Sequence, residues 1–264
     1  MRGWALAGMA LLAASPAWAQ ERDYCPERPG LDTPPCIIDR GRVSVETAIA
    51  DWTRDDQPDS RSDTVLIGDT LVRVGLSDTI EARLGWTPYG HARTRDKASN
   101  AVSSIDGVGD VTLGLKASLL HPGGDGLSIA VLPQVSLPVG RTPIGAGDWG
   151  AGLLLPVSYS LSKSVQLAAT PEVDAAVNAS GSGRHLAYSG TIGLGWGLAD
   201  AVTLTGEVQA LRDEDPSGYQ TQTLAALSLA WKAASNLQFD VLGAHGLNAD
   251  APDFELYAGV SRRF

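Results

Sequence analysis

The sequence lacks the features that define several large protein classes. Beyond its first residues it contains no apolar run approaching the ~20 residues that a membrane-spanning helix needs, and no long segment with the 3.6-residue period of an amphipathic helix. It has no G-x-S-x-G motif, a signature of many serine hydrolases. Its formal net charge of −10 argues against nucleic-acid binding. Beyond the first residues, these observations argue against membrane-spanning helices, and the charge argues against nucleic-acid binding.

The first residues follow the order of a secretory signal peptide. Arg2 is basic, Trp4 to Ala14 is apolar apart from glycine, and Ala17-Trp18-Ala19 forms a small-x-small cleavage site. We expect residues 1–19 to be a signal peptide, the alternative being an N-terminal membrane anchor. Residues 20–40 contain four prolines and are not a regular strand. We expect them to form a periplasmic leader, with the option of folding into the mouth of the following domain.

Cysteine is scarce. The only two, Cys25 and Cys36, lie close together in the leader, and an exported chain meets an oxidising compartment. We predict a disulfide between them. Two thiolates without a nearby histidine fall short of a tetrahedral metal site, and their spacing is wider than a redox C-x-x-C motif. No sequence pattern calls for a bound metal or a cofactor.

Alternation with period two is the dominant pattern of the chain. In the closing stretch, Phe254, Leu256, Ala258, Val260 and Phe264 alternate with Glu255, Tyr257, Gly259 and Ser261. Alternate residues of a strand point to opposite faces, so one face is apolar and the other is polar or small. A terminal strand of this pattern that ends in phenylalanine resembles the closing strand of an outer-membrane β-barrel.

Twelve segments show such alternation, and long polar connections alternate with short ones. The predicted strands are residues 41–52, 60–76, 79–89, 110–119, 128–137, 150–159, 165–177, 185–198, 202–209, 223–231, 237–241 and 254–264, with 90–106 as a polar loop. The pattern predicts an all-β fold in residues 41–264: a transmembrane, antiparallel, up-and-down barrel of about 12 strands with short periplasmic turns and longer external loops. A soluble β-sandwich also alternates.

Aromatic residues and the apolar face favour the barrel over the sandwich. No Lys, Glu or Asp interrupts the apolar face of the predicted strands, and aromatic residues occupy the strand ends, as in the interfacial girdles of membrane barrels. The external band comprises Trp86, Tyr188 and Phe254, and the periplasmic band comprises Tyr159, Trp196, Trp231, Phe239 and Phe264.

The opposite face of the strands supplies the candidate functional residues. The predicted lumen-lining side chains are Glu46, Asp69, Arg73, Glu81, Arg83, Asp110, Lys116, Glu172, Asp174, Glu207, Asp240 and Glu255. An acidic excess in a pore favours cations over anions, but the same charges can form a network that braces the wall. Gly193, Gly195 and Gly197 leave one wall without side chains, so either the lumen is open there or another segment packs against it.

Several strings resemble the outer-membrane family labelled "putative MetA-pathway of phenol degradation". They are PGLDTPPC (29–36), DTVLIGDTLVRVGLSDTIEARLGWTPYG (63–90), GDVTLGLK (109–116), LPVGRTPIGAGDWGAGLLLPVSY (137–159), TPEVDAAV (170–177) and ELYAGVSRRF (255–264). The resemblance covers the chain from about residue 28. It implies an outer-membrane barrel with an uptake role for small molecules, aromatic ones among them, and it carries over no binding residues. It also implies that the barrel-assembly machinery recognises Phe264.

These observations predict a channel or transporter for a small solute in the outer membrane of a Gram-negative-type bacterium. Its expected partners are outer-membrane lipid and lipopolysaccharide, the barrel-assembly machinery and the solute. Two alternatives stay open: a structural or adhesive barrel with a filled lumen, and a lipid-modifying enzyme that uses His185 with Ser182 or Ser189. We expect no enzymatic activity, because His185 faces inward in this register, away from any lipid ester.

Overall fold

The structure, a computed structural model, describes residues 21–264, so the predicted signal peptide lies outside the described residues. In this range no helix is long and apolar enough to cross a membrane. The strands are β1 (Val43–Asp56), β2 (Ser60–Gly75), β3 (Ile80–Trp86), β4 (Tyr89–Asp96), β5 (Val102–Gly107), β6 (Val111–Leu120), β7 (Leu127–Leu137), β8 (Gly150–Leu154), β9 (Val157–Ser160), β10 (Val165–Val177), β11 (Arg184–Ala199), β12 (Val202–Asp213), β13 (Gln220–Ala234), β14 (Leu237–Gly246) and β15 (Phe254–Arg263).

The strands form one antiparallel sheet that closes on itself. β1 pairs with β15 from Ser44↔Arg263 to Arg54↔Phe254, and it pairs with β2 on its other edge. Three barrel strands are interrupted: β3 and β4 together form the strand beside β2, β5 and β6 form the next one, and β8 and β9 form the strand between β7 and β10. The result is the predicted 12-strand, up-and-down barrel. The end that carries both chain termini of the barrel is the periplasmic end, and the opposite end is external.

The distribution of side chains is inverted relative to a soluble protein. Arg73, Lys116, Glu46 and Glu81 are among the largest fully buried side chains, and they lie inside the barrel. The eight residues of the predicted aromatic bands are instead between 37% and 56% exposed on the outer surface. An apolar exterior around a charged interior fits a barrel in lipid and excludes the sandwich.

Two predicted boundaries were wrong. Residues 90–106 are not a loop, because the chain bends at Pro88, continues as β4 along β2, and returns as β5. Gly68, with a φ of 72°, bends β2 beside Pro88, so that β2 pairs with β3 on one side of the bend and β4 on the other. The predicted sixth strand is likewise divided into β8 and β9 at Leu155-Pro156. Proline removes a ladder hydrogen bond, which explains both breaks.

The predicted facing of the closing strand is confirmed. Gly259, Ser261 and Arg263 are buried, whereas the even-numbered Phe254, Leu256, Ala258, Arg262 and Phe264 are exposed. In β1 a bulge between Ala48 and Ala50 leaves Ile49 59% exposed and shifts the alternation by one residue. The bulge turns Asp51 toward the lumen, a position that the regular alternation of the sequence did not predict.

Candidate functional site

The leader, residues 21–40, lies inside the barrel and contacts walls on opposite sides. Its contacts with strand side chains include Tyr24 Oη to Ser44 Oγ (2.7 Å), Gly30 N to Tyr257 Oη (2.8 Å), Thr33 N to Thr170 Oγ1 (3.2 Å) and Ile38 N to Glu81 Oε2 (2.8 Å). These partners belong to β1, β15, β10 and β3. The leader therefore crosses the lumen rather than hanging below it.

Carboxylates of the wall satisfy the backbone of the leader. A proline-rich segment without a sheet partner must find other acceptors for its buried N–H groups. Glu46 Oε2 accepts from Glu27 N at 2.7 Å and Arg28 N at 3.2 Å. Glu207 Oε1 accepts from Leu31 N at 3.1 Å and Asp32 N at 3.0 Å. Two of the predicted lumen acids thus hold the leader in place.

Arg73 is the centre of a buried cluster on the periplasmic half of the wall. We call Arg73, Lys116, Glu46, Glu81 and the leader residue Glu27 the Arg73 cluster. Arg73 donates to Glu81 at 2.9 Å from both Nε and Nη2, and from Nη1 to Glu46 at 3.0 Å. All four wall residues have fully buried side chains. Their charges brace the wall, which is the structural alternative that the sequence left open.

The Arg73 cluster also holds the disulfide loop. Cys25 and Cys36 are bonded, as predicted. Arg73 Nη1 donates to the carbonyl oxygen of Cys25 at 2.8 Å, and Nη2 donates to that of Cys36 at 3.1 Å. Lys116 Nζ donates to Pro34 O at 3.0 Å and Cys36 O at 3.2 Å. Both ends of the loop are therefore fixed to one wall.

Glu27 connects the leader to three cations. Its carboxylate pairs with Arg83 and Lys116 and lies 3.5 Å from Arg73 Nε. Burial raises the pKa of Glu27, but the attraction of Arg83, Lys116 and Arg73 outweighs that effect and lowers the pKa to about 2. At neutral pH this carboxylate is ionised and offsets the surplus of positive charge that the wall would otherwise bury.

A second contact joins the leader to the opposite wall. Arg28 Nη2 lies 3.2 Å from Asp240 Oδ1, and its guanidinium stacks 4.3 Å from the centre of the Tyr257 ring. Gln238 Nε2 donates to Arg28 O at 2.6 Å. The leader is thus held by opposite charges on both sides.

Five acids of the external half have no such partner. Asp51, Asp69, Glu172, Asp174 and Glu255 are half-buried and form no ion pair within residues 21–264. Their hydrogen bonds come from neutral groups: Thr87 Oγ1 donates to Asp69 at 2.7 Å and Ser189 Oγ to Glu172 at 3.3 Å. The external half of the lumen is consequently acidic, while the periplasmic half is neutralised by the leader.

Asp110 has a different role from the other predicted lumen residues. It precedes β6 and accepts hydrogen bonds from Gly140 N at 2.8 Å and Ala146 N at 2.7 Å. These contacts fix the external loop of residues 138–149. Ile144 of that loop packs against the inner face at Gly90, so the loop narrows the external mouth.

A cavity of about 440 Å³ lies between the leader and the wall formed by β9 to β13. Gly193, Gly195 and Gly197 line it together with Thr203 and Thr205, so the absent side chains of β11 leave open space rather than a packing surface for another strand. The cavity reaches the periplasmic turn at Lys163. Above it, Glu207 and Thr170 bind leader residues 31–33.

His185 at the external rim is surrounded by acids and an amide. Its Nε2 lies 2.7 Å from Asp213 Oδ1, and its Nδ1 lies 3.0 Å from Asn178 Oδ1. Hydrogen bonds from Ser217 and the Ala179 N–H group lower the pKa of the neighbouring Asp215 to about 2. Neither Ser182 nor Ser189 contacts the imidazole, so the structure brings no nucleophile to this base.

The sequence missed the leader's own functional residues. Glu27, Arg28 and Asp32 have no periodic neighbours that would assign them a face, and their partners are distant in sequence, as with Arg28 and Asp240, which are 212 positions apart. The four prolines and two cysteines of residues 20–40 set the leader apart in the sequence, but they do not indicate which of its side chains contact the wall. Asp51 was missed because no residue pattern announces the bulge beside it.

Comparison with solved structures shows the same kind of barrel at low sequence identity. The NanC porin is 10% identical with a TM-score of 0.51, covering 83% of this chain and 98% of that one. The KdgM porin in complex with disordered oligogalacturonate is 9% identical with a TM-score of 0.50, covering 84% and 99%. The translocator domain of the autotransporter NalP from Neisseria meningitidis is 15% identical with a TM-score of 0.53, covering 84% and 88%.

These likenesses establish the fold of an outer-membrane barrel. Comparison with curated proteins yields no match by sequence. A family model does match, over residues 27–264, and it therefore includes most of the leader as well as the whole barrel. The chain belongs to the family described as "Putative MetA-pathway of phenol degradation".

Proposed function

We propose that the protein is an outer-membrane channel for a small solute and that the leader controls its passage. The observation that carries this proposal is the cavity of about 440 Å³ along the glycine face of β11, beside the leader. A barrel that served only as a scaffold would gain stability from side chains in this space. The glycines instead keep a passage wide at the level where the leader narrows the lumen.

The route begins in the acidic external half and ends at the periplasmic turn of Lys163. Between them, the solute meets leader residues 30–33, which bind Tyr257, Glu207 and Thr170. These contacts are hydrogen bonds to the backbone of a short segment, without an ion pair, in contrast to the multiple buried ion pairs of the Arg73 cluster. We therefore assign residues 30–33 as the movable part and residues 25–28 as the anchor.

The composition of the route favours a particular solute. Unpaired acids disfavour anions. The barrel strands line the cavity mainly with hydroxyl groups and glycine backbone, including Ser158, Ser164 and Thr205, while the leader and the periplasmic turns add charged side chains of both signs. The family description names phenol degradation. A small, uncharged aromatic molecule with a hydroxyl group suits both the acidic external half and the cavity. Its flat ring fits against glycine, and its hydroxyl can hydrogen-bond to the lining.

The cellular setting is part of the proposal. Residues 1–19 act as the signal peptide, residues 20–40 as the leader and residues 41–264 as the barrel in the outer membrane of a Gram-negative-type bacterium. Phe264 serves as the signal to the assembly machinery. The protein is not an enzyme, which is supported by the absence of any serine against His185 in the described part of the chain.

Conductance in a planar bilayer tests the proposal. The chain of residues 20–264 should conduct weakly, and the barrel of residues 41–264 should conduct severalfold more. Adding a disulfide-bonded peptide of residues 20–40 should lower the larger conductance again. The barrel without the leader keeps Arg73 between Glu46 and Glu81. A cooperative thermal unfolding transition in detergent would confirm that it is folded.

Two results would contradict this function. If neither form conducts, no passage exists and the channel proposal fails. If only the barrel of residues 41–264 conducts, and the full chain carries no current under any condition, the leader blocks the lumen permanently. The structural barrel with a filled lumen would then be the correct function, for which the buried Arg73 cluster provides the stabilising network.

A further inference from the structure

The outward face of the external β-strands carries two rows of charge, the first level with Phe254 of the aromatic band, which is paired with Arg54, and the second beyond it. Strand register places Arg54 beside Asp63 and Asp63 beside Arg93, and it places Asp56 beside Arg61 and Arg61 beside Arg95. Alternate residues of a strand share a face, so both rows point the same way as the lower row of Trp52, Val65 and His91. Four arginines oppose two aspartates, giving these rows a net charge of +2 (4 − 2).

The positive charge is not compensated within the described residues. Asp63 is shared, with Oδ1 2.8 Å from Arg54 Nε and Oδ2 3.4 Å from Arg61 Nε. Arg93 and Arg95 are exposed and form no ion pair with any acid in residues 21–264. Arg95 also lies directly opposite Arg61 in the β2–β4 ladder. Like charges directly opposite each other destabilise a sheet, so this arrangement favours an anion between them.

We propose that this patch, Arg54, Arg61, Arg93 and Arg95, binds the phosphate groups of the glycolipid in the outer leaflet. A strand rises ~3.3 Å per residue, which places Arg54 about 7 Å beyond Trp52 and Arg93 about 13 Å beyond Tyr89 along the strands. Trp52 and Tyr89 lie on the outward face near the external end, and Tyr89 is 45% exposed; Trp and Tyr in such positions are enriched at the membrane interface. The guanidinium groups therefore stand at the level of lipid headgroups, on the side that faces lipid.

The chemistry of the patch selects phosphate rather than a neutral headgroup. Arginine presents a planar fork of donors that matches phosphate with two parallel hydrogen bonds. Arg54 is already oriented by stacking 4.7 Å from the Trp52 ring, so part of the site is arranged before the lipid arrives. The patch lies outside the lumen, and the proposal does not depend on whether the barrel conducts.

Lipid binding by the purified chain of residues 20–264 in detergent tests the proposal. The probe is fluorescent lipid A with its phosphates, compared with the same lipid after enzymatic dephosphorylation. Each basic residue near an anionic surface contributes a few-fold in affinity. We expect the phosphorylated lipid to bind about tenfold more tightly, and we expect R93Q/R95Q to abolish that preference.

Two further variants make the outcome specific. R93K/R95K keeps the charge and should retain most of the preference, which excludes misfolding as the cause of any loss. K163Q/R262Q removes two exposed cations from the periplasmic end and should leave the preference unchanged. Equal binding of the two lipids by the unmodified chain, or an equal loss in K163Q/R262Q, would overturn the proposed site.

Discussion

Arg73 donates two parallel hydrogen bonds, each 2.9 Å long, to Glu81 in the fully buried interior of the barrel. The same guanidinium donates to the carbonyl oxygens of both disulfide-bonded cysteines, at 2.8 Å and 3.1 Å. A charge pair between neighbouring strands is thereby joined to a segment that is not part of the sheet. The stability of the wall and the position of the leader are consequently linked through one side chain.

Replacing Arg73 by methionine should release the disulfide loop and destabilise the barrel. The substitution leaves Glu46 and Glu81 buried without their principal cation, and breaking a buried ion pair in this way costs about 3–5 kcal/mol. Hydrogen exchange of the Ile38 N–H, which Glu81 accepts at 2.8 Å, should accelerate. Arg42→Met, which removes an exposed partner of Glu21, is the matched control and should change neither measurement. Unchanged protection of Ile38 in the Arg73 variant would argue against the anchor.

The sequence predicted the barrel because lipid imposes a simple rule on it. Every strand that crosses lipid must alternate an apolar residue with one that faces the lumen. Phe254 to Ser261 follow that rule, and only Arg262, near the end of the strand, places a charge on the outward face. The rule no longer applies above the membrane. Residues 90–106 therefore read as a loop although Tyr89–Asp96 and Val102–Gly107 form a hairpin. Their side chains lie beyond the hydrocarbon layer, where polar residues are as suitable as apolar ones.

The candidate site was only half predictable. Residues such as Glu46 and Glu207 were found because strand alternation assigns them a face. Their actual role depends on the leader, whose contacts join residues far apart, such as Lys116 and Pro34, 82 positions away. No periodicity encodes such a contact. The division of the lumen into an acidic external half and a neutralised periplasmic half follows from that docking and required the structure.

The pH dependence of the current should reveal whether Asp32 controls the leader. Burial and the neighbouring Glu207 carboxylate raise the pKa of Asp32 from 3.8 to about 8 in the docked leader. A released leader would have the ordinary value. Between pH 3.8 and about 8 the docked form must therefore hold a proton that the released form lacks. Docking weakens as pH rises through this window, and the conductance of the full chain should rise severalfold.

Glu27 gives the opposite dependence at lower pH. Because docking lowers its pKa from 4.5 to about 2, its stabilising contribution is complete above pH 4.5 and is lost as pH falls toward 2. Asp32→Asn keeps the shape of the side chain and stays uncharged at every pH because the titratable carboxyl group is gone, so its current should no longer rise between pH 4 and pH 8. The barrel of residues 41–264 controls for titration of the lumen acids. An unaltered pH profile in Asp32→Asn would exclude Asp32 as the controlling group.

Deleting Phe264 should impair assembly more than it impairs the folded barrel. Its side chain is 56% exposed, and its backbone exchanges two hydrogen bonds with Val43, which are 2.8 Å and 3.3 Å long. Losing these two terminal hydrogen bonds leaves most of the pairing between β1 and β15 intact. We expect a severalfold lower yield of inserted protein in cells and a nearly unchanged unfolding midpoint for the purified protein. Phe254→Ala, which truncates a 47% exposed aromatic at the external end, should assemble normally; equal defects in both would contradict a signal specific to Phe264.

Filling the glycine face of β11 should block the proposed passage without unfolding the barrel. A Cβ added to Gly195 would lie 3.6 Å from Thr205 Oγ1, an ordinary contact, so the remainder of a leucine would extend into the cavity. Gly195→Leu should reduce single-channel conductance at least twofold. Gly190 lies on the same strand but is exposed on the lipid side, where an added Cβ meets no atom within 4 Å. Gly190→Leu should therefore conduct like the unmodified protein, because it changes the strand without narrowing the lumen. Equal currents from all three proteins would place the route elsewhere in the barrel.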